Sequence, residues 1–196
     1  MISASMFITG RCNYNCLYCY RHLDKKDMSF ERAKEVIDHL CSSFLPTGEK
    51  IKISFAGGEP TLVNWVFDAI RYAKEKGAKV ELITNGTTKI KEKEFEILDV
   101  ISFDIDTLNK DKNLLLGKYT NHVEKIEEKM KLAEKYGVRV KINTVVTKIN
   151  KDDLEELAYW VKRNQIVYRW KIFQFLPSYG IAKKNRDILQ LTYSPH

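Results

Sequence analysis

The chain has 196 residues, of which 44% are hydrophobic and 30% charged, with nine Gly and four Pro, a balance that excludes a disordered linker and suits one folded domain with a substantial core. Its net charge of +7, much of it lysine dispersed over helix faces at 89–93 and 125–135, favours anionic partners such as nucleotides, nucleic acid or membrane surfaces without choosing among them. The first ten residues lack a secretory pattern and no apolar run approaches the roughly 18 residues of a membrane helix, so a cytoplasmic address and no membrane span are expected.

In chain order, residues 4–9 predict a strand that runs into a cysteine-rich loop. Ser29 is a partial N-cap, with Arg32 three residues on instead of Glu, and 30–44 has helical spacing at Ala33, Val36, Ile37 and Leu40, with Cys41 on a core position. Residues 50–55 alternate as a strand, 62–76 read as a helix, and 79–84 return to strand before the Asn85-Gly86 turn. Strands at 100–106, 138–146 and 168–175 follow, separated by helices at 122–136 and 154–163.

Six strands with helical crossovers, too long for hairpins, predict an α/β fold: a parallel sheet curled on itself with helices outside. A complete eight-unit barrel takes about 250 residues, so this one is expected to be a partial, open β/α barrel with its functional groups at the C-terminal strand ends. Residues 1–180 are expected to form this domain. Residues 181–196 show no pattern and are expected to be a short tail, shortened relative to a longer protein.

Three of the four cysteines, Cys12, Cys16 and Cys19, fall within eight residues, which argues for metal or redox chemistry rather than disulfides. Soft thiolates on a short loop suit an iron-sulfur cluster or zinc. A structural zinc site needs a fourth ligand, for which His22 would crowd the same loop, whereas three ligands leave one iron of a four-iron cluster open.

The cysteine spacing, Tyr18 just before the third cysteine and the position after a first strand resemble the radical S-adenosylmethionine (SAM) superfamily. That resemblance implies a [4Fe-4S] cluster on Cys12, Cys16 and Cys19 and S-adenosyl-L-methionine on the open iron. One electron, from a donor such as flavodoxin or ferredoxin, then releases a 5'-deoxyadenosyl radical. Gly57-Gly58-Glu59-Pro60, where glycines let backbone approach a ligand and a carboxylate can hold an ammonium, resembles the superfamily's motif for the methionine amino group. Thr84 and Asn85 stand where relatives hold cofactor, although a tight turn is their plain reading. Asp104 and Asp106, at the end of the fourth strand, carry no assigned role.

Lys52-Ile53-Ser54-Phe55, Asp106-Thr107 with Gly117-Lys118, Asn121-His122-Val123-Glu124, 141–146 and 169–174 are similar to the viperin family. Members remove water from a nucleoside triphosphate such as CTP, giving a 3'-deoxy-3',4'-didehydro nucleotide that terminates viral RNA synthesis. The resemblance implies phosphate contacts from Lys52, Lys141, Arg169 and Lys171, with Asn143 in the substrate-binding set and Tyr18 and Lys118 near the cofactor. Independently, Lys141, Arg169 and Lys171 are cations inside apolar strands, and a buried trio needs an anion; pairing with covering helices or pointing to solvent is the alternative.

Three features depart from that family. Ser5 replaces an asparagine, Lys118 an arginine, and the closing C-terminal segment with its catalytic tyrosine has no match, neither Tyr179 nor Tyr193 mapping to it. No catalytic side chain is therefore assigned. A radical SAM enzyme modifying a peptide or activating a partner protein, and a cluster-binding domain without turnover, are the alternative functions. No interleaved aromatic and basic stripe points to a stable nucleic-acid partner.

Overall fold

The structure is a computed structural model and describes residues 1–20 and 26–191. Its elements follow the order β1 (Ile2–Thr9), α1 (Phe30–Phe44), β2 (Ile51–Gly57), α2 (Val66–Glu75), β3 (Lys79–Thr84), β4 (Val100–Asp104), α3 (Lys110–Leu115), α4 (His122–Lys135), β5 (Arg139–Val146), α5 (Leu154–Arg163) and β6 (Val167–Gln174), then α6 (Gly180–Lys184) and α7 (Arg186–Leu189). The six strands form one sheet in sequence order, every neighbouring pair parallel, with β1 and β6 as its two edges. This is the open, partial β/α barrel expected from the alternation of strands and helices.

Side chains alternate across a strand, so each strand sorts its residues onto two faces. Ile53 and Phe55, Val80 and Leu82, Ile101 and Phe103, and Val140 and Ile142 are fully buried against Ile37, Ile70, Ala73, Ile126, Ala133 and Leu157 of the helices. Each such large apolar side chain contributes roughly 1.5–3 kcal/mol. Alternate positions put Lys52, Ser54, Glu81, Ser102, Asp104, Lys141, Asn143, Arg169 and Lys171 on the inner face, with Ala56, Ile83, Val100, Val145 and Phe173 on the same parity towards the strand ends. A parallel sheet packed on both faces reads as continuous apolar runs; this sheet is built to offer its inner face to something polar.

Beyond shifts of one or two residues at other strand ends, the structure differs from the sequence expectation at four places. Helix α2 begins at Val66 rather than at residue 62, because Pro60 opens a separate tight turn to Leu62 and Val63 is extended, with ψ 120°. Strand β4 ends at Asp104, two residues early. Helix α3, unexpected from the sequence, is capped by the Asn109 side chain, which accepts from the Asp111 and Lys112 N–H groups. The supposedly patternless tail forms α6 and α7: Ala182 and Leu189 are fully buried with Leu116 and Phe175 in a second apolar cluster, against which Leu17 and Tyr18 of the cysteine loop pack. Tyr193 and His22 lie outside the described residues.

Candidate active site on the cysteine loop and inner sheet face

The cysteine loop leaves β1 at Thr9 and is tied to the glycine-rich end of β2. Gly58 N–H donates to Thr9 O at 2.7 Å and Glu59 N–H to Arg11 O at 2.8 Å. Gly57 has φ +142°, and a Cβ there would overlap the Thr9 carbonyl oxygen, so only glycine fits the junction. On the other side Leu17 N–H donates to Leu116 O at 3.1 Å, and Gly117, φ +84°, lies so close that a Cβ would overlap Asn15 O. The tail supplies a third support: Ala182 N–H donates to Cys19 O at 3.1 Å and Asn185 Nδ2 to Leu17 O at 3.1 Å.

Cys12, Cys16 and Cys19 are partly exposed and no disulfide joins them, while Cys41 is buried in α1, away from the loop. The Cys12 sulfur accepts from Tyr14 N–H at 3.4 Å and from Asn85 Nδ2 at 3.8 Å. Such bonds tune a cluster's potential. Burial pushes the Cys16 thiol up to about 12, with the Lys118 ammonium opposing, so it keeps its proton; metal ligation takes the thiolate and would release that proton. Among the described residues no three Cys, His, Asp or Glu side chains close on one point as around a single ion. Three soft thiols on one loop, each able to bind a different iron, fit a four-iron cluster.

Behind the loop lies a buried polar network. Asp106 accepts from Tyr18 Oη at 2.6 Å, from Val145 N–H at 2.8 Å and from the Lys118 ammonium at 2.7 Å. Lys118 also donates to Asp104 O at 3.0 Å. His122 Nε2 stands 2.6 Å from the same Asp104 carbonyl, so Nε2–H donates there and Nδ1 accepts from Tyr14 Oη at 3.0 Å. Burial, with Lys118 beside it, depresses the His122 pKa well below 6.5, which keeps the ring neutral. Lys118, expected near the cofactor, is thus 1% exposed and engaged behind the cysteine loop.

Glu59, Thr84 and Asn85 come together at the ends of β2 and β3, but the Glu59 side chain is turned inward. Its carboxylate is fully buried and accepts from Thr61 N–H, Thr61 Oγ1, Thr84 Oγ1 and Asn85 N–H at 2.5–3.1 Å. With its lone pairs committed to these four donors, it braces β2 against β3. Asn85 Nδ2 also donates to Asn13 Oδ1 at 2.8 Å, locking the turn to the cysteine loop.

On the inner face the expected cation trio is only partly buried. Lys141 is 6% exposed, whereas Arg169 and Lys171 are exposed, because β6 is an edge strand with no further strand beside it. Register sets Lys141 beside Arg169 and Asn143 beside Lys171, and Asn143 Nδ2 donates to Asp104 Oδ1 at 3.1 Å. Burial pushes Asp104 up to about 6. Lys52 and Lys141 both bind Glu81, a residue the sequence did not single out; its signal was an acid on the inner parity of an otherwise apolar strand. His122, noted in the sequence only as part of the family-like Asn121-His122-Val123-Glu124 run, has no role assigned there.

A family model described as the radical SAM superfamily matches residues 6–161. The chain is 33% identical over 208 residues to an S-adenosylmethionine-dependent nucleotide dehydratase of Flammeovirga pacifica, covering 98% of this chain and 68% of that protein. It is 32% identical over 183 residues to a protein of the same name from Selenomonas ruminantium, covering 87% and 64%. The chain thus spans about two-thirds of the length of these relatives. Streptococcus suis SuiB bound to S-adenosylmethionine shares the fold, with a TM-score of 0.74 at 21% identity, over 98% of this chain and 44% of that one.

Proposed function

The chain belongs to the radical SAM superfamily, and on that premise we propose that it dehydrates a nucleoside triphosphate, such as CTP, to its 3'-deoxy-3',4'-didehydro form. Two relatives named as nucleotide dehydratases, similar over most of this chain, support the reaction. The observation that carries it is the polar inner face, where Lys52, Lys141, Arg169 and Lys171 stand on strands whose C-terminal ends frame the cysteine loop.

Superfamily membership brings a [4Fe-4S] cluster and S-adenosylmethionine, which together supply one-electron cleavage of the cofactor and hydrogen-atom abstraction. Cys12, Cys16 and Cys19 would hold the cluster and leave one iron without a protein ligand. The backbone at Gly57 and Gly58, with Tyr18, Glu59, Thr84, Asn85 and Lys118 around or behind it, would shape the cofactor's place. Arg169 and Lys171 present charged donors to phosphate oxygens, and Asn143, between them and Asp104, adds a neutral donor. The nucleotide leaves lighter by one water. Residues 1–180 as the catalytic domain, a flavodoxin or ferredoxin as electron donor and a cytoplasmic address belong to the same proposal; among the described residues no helix is long and apolar enough to cross a membrane.

Thermal unfolding of the cluster-loaded protein tests nucleotide binding. A ligand at a hundred times its Kd stabilises the native state by about 2.7 kcal/mol, so at least one of CTP, UTP, GTP and ATP is expected to raise the Tm. Lys171→Ala removes that protection. Failure of all four nucleotides contradicts the reading.

A further inference from the structure

The inner face holds an anion of its own. Glu81 is 1% exposed between Lys52 and Lys141, and each of its oxygens has two donors. One accepts from Lys52 Nζ at 2.6 Å and Ser54 Oγ at 2.8 Å; the other accepts from Ser102 Oγ at 2.5 Å and from Lys141 Nζ. Burial disfavours its ionisation, but the two ammoniums and two hydroxyls outweigh this and hold the carboxyl at about 2, so it stays charged throughout the physiological range.

Two ammoniums and two hydroxyls aimed at one point are also what a phosphate group would be offered. The four cations therefore fall into two pairs. Lys52 and Lys141 share the charge of Glu81. Arg169 and Lys171 make no ion pair among the described residues and stand at the exposed edge, where Arg169 lies over the Tyr168 ring at 5.7 Å. Lys141 feels this crowding: burial, with Lys52 and Lys171 nearby, draws its ammonium below the ordinary value despite Glu81.

We propose that Glu81 is a specificity-determining residue of the nucleotide site, limiting through Lys52 and Lys141 how much negative charge the inner face accepts and so setting its preference for phosphate number. The inference rests on the nucleotide reading above. A ligand's outer phosphate meets Arg169 and Lys171 at full charge. A phosphate that reaches further in must share Lys52 and Lys141 with a fixed carboxylate, which repels it over a few ångströms in a poorly screened interior. Each added phosphate thus gains less affinity than four unopposed cations would give it. Glu81→Gln keeps the size of the side chain and removes the repulsion.

The test is calorimetric titration of the cluster-loaded wild type and of E81Q, E81S and E81D with CTP, CMP and inorganic tripolyphosphate. In E81Q, CTP and tripolyphosphate are expected to bind roughly tenfold tighter, while CMP changes by less than about threefold, raising the CTP-to-CMP affinity ratio. E81S gives the same direction if E81Q does not fold, and E81D keeps the wild-type ratio; a merely structural carboxylate would not raise the ratio in the neutral variants. Wild type that binds CTP, with an unchanged or lowered ratio in the neutral variants, overturns the inference alone. No binding of any of these compounds to wild type overturns the nucleotide reading and the inference with it.

Discussion

The Lys118 ammonium and the Asp106 carboxylate lie 2.7 Å apart, 1% and 0% exposed, behind the cysteine loop. Asp106 is also the acceptor for Tyr18 Oη, so one carboxylate joins the end of β4 to the residue before Cys19. Removing one partner of a buried pair leaves the other charge without compensation and costs about 3–5 kcal/mol. Asp106→Asn and Lys118→Met are each expected to lose stability on that scale in urea unfolding. The double variant is expected to lose less than the sum of the two, the coupling that a shared interaction requires.

Glycine is required where two loops touch. Gly57→Ala and Gly117→Ala each place a Cβ onto a backbone carbonyl at positive φ, against Thr9 and Asn15 respectively. Strained backbone alone costs about 1–3 kcal/mol at each site, and the overlap adds to it. Both variants are expected to take up less iron and sulfide on reconstitution, measured per mole of protein. Gly48→Ala is the control: its φ is also positive, but a Cβ there meets nothing within 4 Å.

Strand and helix order was legible in the sequence because the helix-facing positions at the middle of the strands, such as Ile53, Phe55, Val80, Leu82, Ile101, Phe103, Val140 and Ile142, are apolar and alternate with polar ones. The inner-face polarity was legible only in part. Lys141, Arg169 and Lys171 showed as cations in apolar strands, but Glu81 gains its meaning from Lys52 and Ser54 on β2, Ser102 on β4 and Lys141 on β5. No single segment displays that convergence. The same holds for Glu59, whose four donors come from both sides of the sheet end. Helices α3, α6 and α7 are too short for periodicity to reveal, and α6 and α7 are held by contacts to Leu116, Phe175 and the cysteine loop rather than by their own propensity.

Acid is expected to act on this fold through His122 and Asp104 with opposite signs. His122 has a folded pKa well below its unfolded 6.5, so its contribution is complete above pH 6.5 and is lost as pH falls below it. Asp104 has a folded pKa of about 6 against 3.8 unfolded, so its protonated form favours the fold below 3.8, and that contribution is lost as pH rises through 6. His122→Gln is therefore expected to flatten the loss of stability on acidification below pH 6.5, and Asp104→Asn to steepen it between pH 6 and 4. Urea midpoints at half-unit intervals from pH 4 to 8 read both effects.

Cysteine variants separate the loop from the core. Cys16→Ala is expected to abolish the cluster's visible absorbance after reconstitution. Cys41→Ala, buried in α1 among core residues, is expected to leave iron and sulfide content at wild-type levels and to cost about 1 kcal/mol of stability.

The most direct measurement of the central claim is anaerobic turnover: reconstituted protein, reductant and S-adenosylmethionine, with each nucleoside triphosphate in turn, following 5'-deoxyadenosine and nucleotide mass together. The expected result is 5'-deoxyadenosine formation stimulated by one nucleotide, in step with a product lighter by one water. Cofactor cleavage at the same rate with every nucleotide and with none, and no nucleotide changed in mass, contradicts it.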